Sequence, residues 1–309
     1  MAGFSATDAA LNGFRLVWEK PKVLPWWAVL QFIFSLGLSA FTALSAGPAF
    51  TKLAAMRLGP ASDPAQVLGL FREIAPTYVV LLAAALVLYA VLYAAMNRSV
   101  LQPSEDSYGY LRLSSDELRQ LGLFALFAAM GFVLYVAVVL VVAMFMTAAG
   151  LVAGGSSSPG PTLALAVLIP VVLAAFLYLG VRFSLASPLT FATHKIDLFG
   201  SWALTRGRFW PLFGTYLIAF ALNVVVLLLT FAIAVTAMAA AGGGIGALAD
   251  LGRPDLSSLN AALRPGRIAY LAVSAIGSAL GWPVIMTPPA VIYRALAGGG
   301  PGATSRVFA

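Results

Sequence analysis

Six predominantly apolar runs of twenty or more residues, over 24–47, 74–96, 118–149, 162–183, 211–239 and 267–289, dominate this chain. A helix needs about 20 such residues to cross a hydrocarbon core of roughly 30 Å. Inside that core each backbone amide must find its partner within its own segment, which selects helices. Hydrophobic residues make up 61% of the chain and charged residues 9%, against about 25% charged in ordinary soluble domains. The sequence therefore predicts an all-α integral membrane protein with six transmembrane helices and short interfacial amphipathic helices. It divides into a lead-in at 1–23, one six-span domain at 24–297 and a Gly/Pro-rich tail at 298–309.

Charge placement orients this bundle. Six spans put both termini on one side, and that side carries twelve Lys/Arg against six on the other. By the positive-inside rule both termini are expected in the cytoplasm of a bacterial inner membrane. Trp18, Trp26, Trp27, Trp202 and Trp210 fall at the same inner boundaries. The net charge of +7 points to anionic phospholipid rather than nucleic acid, because the basic residues flank apolar runs. Membrane phospholipids are the expected partners, with a membrane-protein partner or self-association as a further expectation. The charged first 23 residues and the long apolar segment after them read as a retained span, not a cleaved leader. With no cysteine, disulfides and thiolate metal sites are excluded.

Local signals fill in the connections. Ala10, Leu11, Phe14, Val17 and Trp18 recur at helical spacing over 6–20 and predict an amphipathic helix in the headgroup plane, ended by Pro21. The basic stretch 48–73 predicts two short surface helices separated by Leu58-Gly59-Pro60, the second starting at Pro64. Residues 98–119 read as a solvated segment, with Ser114 and Glu117 at capping-box spacing. Pro170 is expected to kink the fourth span, Pro283, Pro288 and Pro289 to make the sixth irregular, and Asp255 to cap a short helix. Gln31, Ser35 and Ser39 form a polar stripe on the first span, and Asn223 is the notable polar residue of the fifth. Such groups pack helices together or line a cavity.

The stretch 187–214 concentrates most of the remaining chemistry. It holds the only histidine, His194, with Lys195, Asp197, Trp202, Arg206, Arg208 and Trp210. Arg182, just before it, joins the candidate contacts for a phosphate headgroup or other ligand, because guanidinium groups bind phosphate through charge-assisted bonds. No second histidine is present for a multi-histidine metal site, and no serine elbow or phosphate-cradling loop appears, so no catalytic residue, cofactor or metal is assigned. An enzyme centred on His194 needs the acids of 98–119 to meet it in space. Charged lead-ins precede spans 1, 3 and 5, and a three-hairpin internal repeat is one reading of that order.

Arg182, Ser187-Pro188 and the run from Gly200 to Trp210, GSWALTRGRFW, carry a family resemblance. They resemble uncharacterised alphaproteobacterial multi-span membrane proteins related to the glycerophosphoryl diester phosphodiesterase membrane domain. The segment NRSVLQPSEDSYGYLRLSSDELR is similar to a stretch recurring in those proteins. The resemblance implies a membrane domain, and no phosphodiesterase catalysis, since the spans and short loops take up this length. It aligns an acidic position near the joint loosely with Asp197, which would pair with Arg206. The leading functional expectation is a noncatalytic inner-membrane scaffold or envelope- and lipid-associated protein. The alternatives are a small-molecule or lipid transporter lined by Gln31, Ser35, Asn223 and the tyrosines of span 2, and a membrane enzyme using the His194 region.

Overall fold

A computed structural model describes residues 4–55, 64–152, 160–242, 244 and 255–298. Its elements are α1 (Ala6–Glu19), α2 (Val23–Ala55), α3 (Pro64–Leu101), a 3-10 turn (Ser107–Tyr110), α4 (Ser115–Val152), α5 (Gly160–Phe183), α6 (Ala186–Thr193), α7 (Leu198–Leu204), α8 (Phe209–Gly242), α9 (Leu259–Ala262) and α10 (Pro265–Leu296). Among the described residues, six helices are long and apolar enough to cross a membrane. The protein is an all-helical multi-pass membrane protein.

The last long helix is the hub. α10 packs on α8 most extensively, and also on α1, α2, α3 and α6. Small residues allow this: an added Cβ at Gly281 would lie 2.6 Å from Asn223 Oδ1 of α8, and Gly277 abuts Thr230 of the same helix. Close approach through small residues compensates for the weak hydrophobic drive between helices in lipid. The α4–α5 hairpin lies at the edge, on α3, α6, α7 and α8, and leaves Phe132, Tyr135, Leu140, Val167 and Leu173 exposed, as lipid-facing side chains must be.

Several local expectations need correction. On α1, Ala10, Phe14 and Val17 of the expected face do pack on the bundle, with Ala9 and Gly13 buried beside them against α8 and α10, while Leu11 and Trp18 are exposed, Trp18 at 89%. The connection between the first two spans does not begin with a separate surface helix. α2 continues through Lys52 to Ala55 across a kink at Ala46 (φ −145°, ψ 17°), two residues before Pro48. A proline ring clashes with the carbonyl four residues back, which explains a break there. α3 does start at Pro64, and it runs unbroken into the second span; Arg57, Leu58-Gly59-Pro60 and Asp63 lie outside the described residues. α10 is one helix through Pro283, Pro288 and Pro289, and α5 is one helix through Pro170. Near Pro283 the Thr287 hydroxyl donates to the Pro283 carbonyl at 2.7 Å. Asp255 does not cap α9; Ser258 does, and Asp255 accepts from the Ser257 amide and hydroxyl and pairs with Arg264. Those Ser257 bonds hold the Asp255 carboxyl below its ordinary pKa. The three lead-ins differ in form: α1 is a separate helix, the second is the first turn of α4, and α7 is a short helix, so they establish no threefold repeat.

Candidate functional site

The joint between α5 and α8 is half core and half surface. Residues 186–191 of α6 are all buried, wedged against α3, α4 and α10, which the polar look of the sequence did not predict. A buried polar ladder fixes α6 there. The Asn97 amide donates to Ser187 Oγ (2.9 Å), Ser187 Oγ donates to Gln120 Oε1 (2.9 Å), and Gln120 Nε2 donates to the Ser187 carbonyl (2.9 Å). His194, at φ 56°, ends α6 in the left-handed conformation. Asp197 then caps α7 by accepting from the Gly200 amide at 2.8 Å. Among the described residues it makes no ion pair with Arg206, correcting that expected pairing.

α7 folds back on the end of α5. The Arg182 carbonyl, one of the carbonyls a helix end leaves free, accepts from Ser201 Oγ at 2.8 Å and lies 3.3 Å from Thr205 Oγ1. This places the Arg182 guanidinium over Trp202 at 4.7 Å and over Tyr178 at 5.3 Å, with Nε donating to the Tyr178 hydroxyl at 3.1 Å. Its Nη1 is shielded from solvent and meets no acceptor among the described residues. Arg208 donates to the Leu204 carbonyl at 3.2 Å; Arg206 and Lys195 are exposed. Trp210, 75% exposed, stands edge-on to Phe209 and Phe213. None of Arg182, Lys195, Arg206 and Arg208 pairs with a carboxylate among the described residues.

The segment after α3 has the opposite character, and its expected solvation is wrong at the key residues. Arg98 and Glu117 are buried and joined at 2.9 Å; Asp116 stands 3.8 Å from Arg98 and 2.7 Å from Arg119; Arg112 holds Glu105 at 2.6 Å. The capping box forms as expected: the Ser114 amide donates to Glu117 (2.9 Å), and the Asp116 amide donates to Ser114 Oγ (3.3 Å). A cleft of about 470 Å³ brings His194 to Glu105, Asp116 and the three arginines. His194 Nδ1 is 3.2 Å from Asp116 Oδ1 and 3.3 Å from Arg119, so the histidine does meet acids of 98–119. Each of those acids is already held by arginine, leaving the cleft charge-balanced. Among the described residues no three His, Asp or Glu side chains are grouped to hold a metal. On the lead-in side, the Tyr110 hydroxyl, followed by Asp106, raises the Lys20 pKa above its ordinary value.

The span residues are dispersed. Gln31 Nε2 bonds Ser35 Oγ at 3.1 Å within α2, leaving Gln31 Oε1 and the Ser39 hydroxyl buried without partners among the described residues. Asn223 sits between α8 and α10, and none of Gln31, Ser35 or Asn223 lines the clefts described here. The unpaired guanidinium of Arg182 was legible as a basic residue, but its aromatic sandwich required the fold-back of α7. Comparison with known proteins found no matching family model, curated relative or solved structure.

Proposed function

We propose that this chain is a noncatalytic, lipid-associated protein of the bacterial inner membrane, with both termini cytoplasmic, that holds anionic phospholipid headgroups at the α5–α7–α8 joint. The observation that carries this reading is the contrast in charge pairing. The arginines of 98–119 are matched by carboxylates, whereas Arg182, Lys195, Arg206 and Arg208 are not, and Arg182 lies over the Trp202 ring. An anionic headgroup supplies the missing acceptor. The family resemblance of the same residues adds a membrane context and no reaction.

Each basic residue near an anionic surface contributes roughly 1 kcal/mol, so Arg206→Ala/Arg208→Ala should lower anionic-lipid affinity about ten- to thirty-fold. Mass spectrometry of lipids retained by the purified protein measures this, and unchanged retention would overturn the headgroup site. The orientation has its own check, aided by the absence of cysteine. A membrane-impermeant maleimide applied to intact inner-membrane spheroplasts should label Asn260→Cys, and should label Ser115→Cys only after the membrane is opened. The reverse pattern would invert the topology.

A further inference from the structure

A recess of about 540 Å³ lies between α4 and α5 and is closed by Tyr93 of α3. Its volume falls within the roughly 300–1,000 Å³ of small-ligand sites. Phe127, Gly131, Phe176, Gly180 and Phe183 shape its walls. The two glycines open it: a Cβ added at either meets nothing within 4 Å. We infer that this recess seats one acyl chain of an anionic glycerophospholipid whose phosphate is held by Arg182, an assignment that rests on the headgroup reading above.

Three observations fix the occupant's chemistry. Of the hydroxyls along the recess, the two serines have their hydrogens committed to protein: Ser184 Oγ donates to the Val181 carbonyl (2.8 Å) and Ser187 Oγ to Gln120 (2.9 Å), which leaves only the Tyr93 hydroxyl to a ligand. Ser184 also accepts from Tyr216 (2.7 Å) and Ser187 from Asn97 (2.9 Å). The recess thus offers hydrocarbon contact and little polar recognition, which suits a chain and not a polar solute. Its depth matches one leaflet: from Phe124 to Leu134 along α4 is about 15 Å at the helical rise, half of a core of roughly 30 Å. It also begins at the charged joint. Phe183 lines the recess and lies 5.6 Å from Trp202, whose face carries the Arg182 guanidinium. A headgroup and a chain of the same lipid are therefore offered complementary surfaces on adjoining turns.

The test uses the full chain in nanodiscs of phosphatidylcholine containing phosphatidylglycerol with a diazirine-bearing acyl chain. Photocrosslinks should map to peptides covering 124–134 and 176–184. Gly180→Leu and Gly131→Leu, which fill the recess from opposite helices, should each reduce those crosslinks by about tenfold, equivalent to about 1.4 kcal/mol of binding. Arg182→Gln should reduce both crosslinking and retention of phosphatidylglycerol. Unfolding midpoints identify which leucine variants remain folded; the open space at both glycines favours retention, and either one alone suffices. Undiminished crosslinking in a folded leucine variant overturns the acyl seat, and retention that still depends on Arg206 and Arg208 then leaves the headgroup reading standing. Equal crosslinking by a phosphatidylcholine probe overturns the requirement for an anionic lipid. Retention indifferent to Arg182, Arg206 and Arg208 overturns both.

Discussion

Arg98→Ala is expected to destabilise the protein by about 3–5 kcal/mol, the cost of breaking a buried ion pair from one side. Arg98 stands at the end of α3 with its side chain 2% exposed, and it joins three parts of the chain. Nη1 donates to the Tyr110 carbonyl at 2.6 Å, Nη2 donates to Glu117 at 2.9 Å, and the guanidinium lies 5.6 Å from the Phe191 ring of α6. Alanine would leave the Glu117 carboxylate buried without its counter-charge. Arg98→Met/Glu117→Gln should recover at least half of the loss, because glutamine keeps the capping contact to the Ser114 amide while removing the charge. Equilibrium unfolding in mixed detergent micelles would measure both. A loss below about 1 kcal/mol in the single variant would show that the pair behaves like a surface pair and does not hold this face together.

The second large effect belongs to Gly13. A Cβ at this position would clash with the Pro283 carbonyl group and the Val284 amide of α10, which are backbone atoms with no rotamer to escape into. Gly13→Ala should therefore cost about 1–3 kcal/mol through overpacking, and should lift α1 from its seat. Gly37→Ala is the matched comparison, since a Cβ there meets nothing within 4 Å. In a helix interior that change gains up to about 1 kcal/mol. Hydrogen exchange over residues 6–19 should accelerate in Gly13→Ala and stay unchanged in Gly37→Ala. Equal protection in both would show that α10 moves to accommodate the methyl group.

The features legible in the sequence are those decided within a short stretch of chain. The six spans follow from apolar length, α3 begins at Pro64, and the Ser114–Glu117 cap follows from spacing. Features decided by distant partners were not legible. Arg98 and Glu117 look like ordinary surface charges until the turn at Tyr108, Gly109 and Tyr110, all at positive φ, carries the Tyr110 carbonyl back over α3. On α1 the apolar spacing picks out Ala10, Phe14 and Val17, which do pack inward, but only the surface of α10 shows that Gly13 is where the two backbones touch. The prolines of α10 predict breaks from local rules, yet a helix packed on several neighbours keeps its course. At the joint, the basic composition was readable, while the separation of paired from unpaired arginines depends on which acids the fold brings near.

The seat of α1 also sets a timetable for assembly. Gly13 docks on Pro283 and Val284, so the surface that receives the first helix is made roughly 270 residues later. At about 5–20 residues per second, α1 waits roughly 15–50 s for its partner during synthesis. The residues that enter this contact are Ala9, Ala10 and Gly13, among the smallest side chains available, with Phe14 and Val17 packing beside them. The same glycine that lets α1 touch the α10 backbone thus makes docking of the first helix wait for the last.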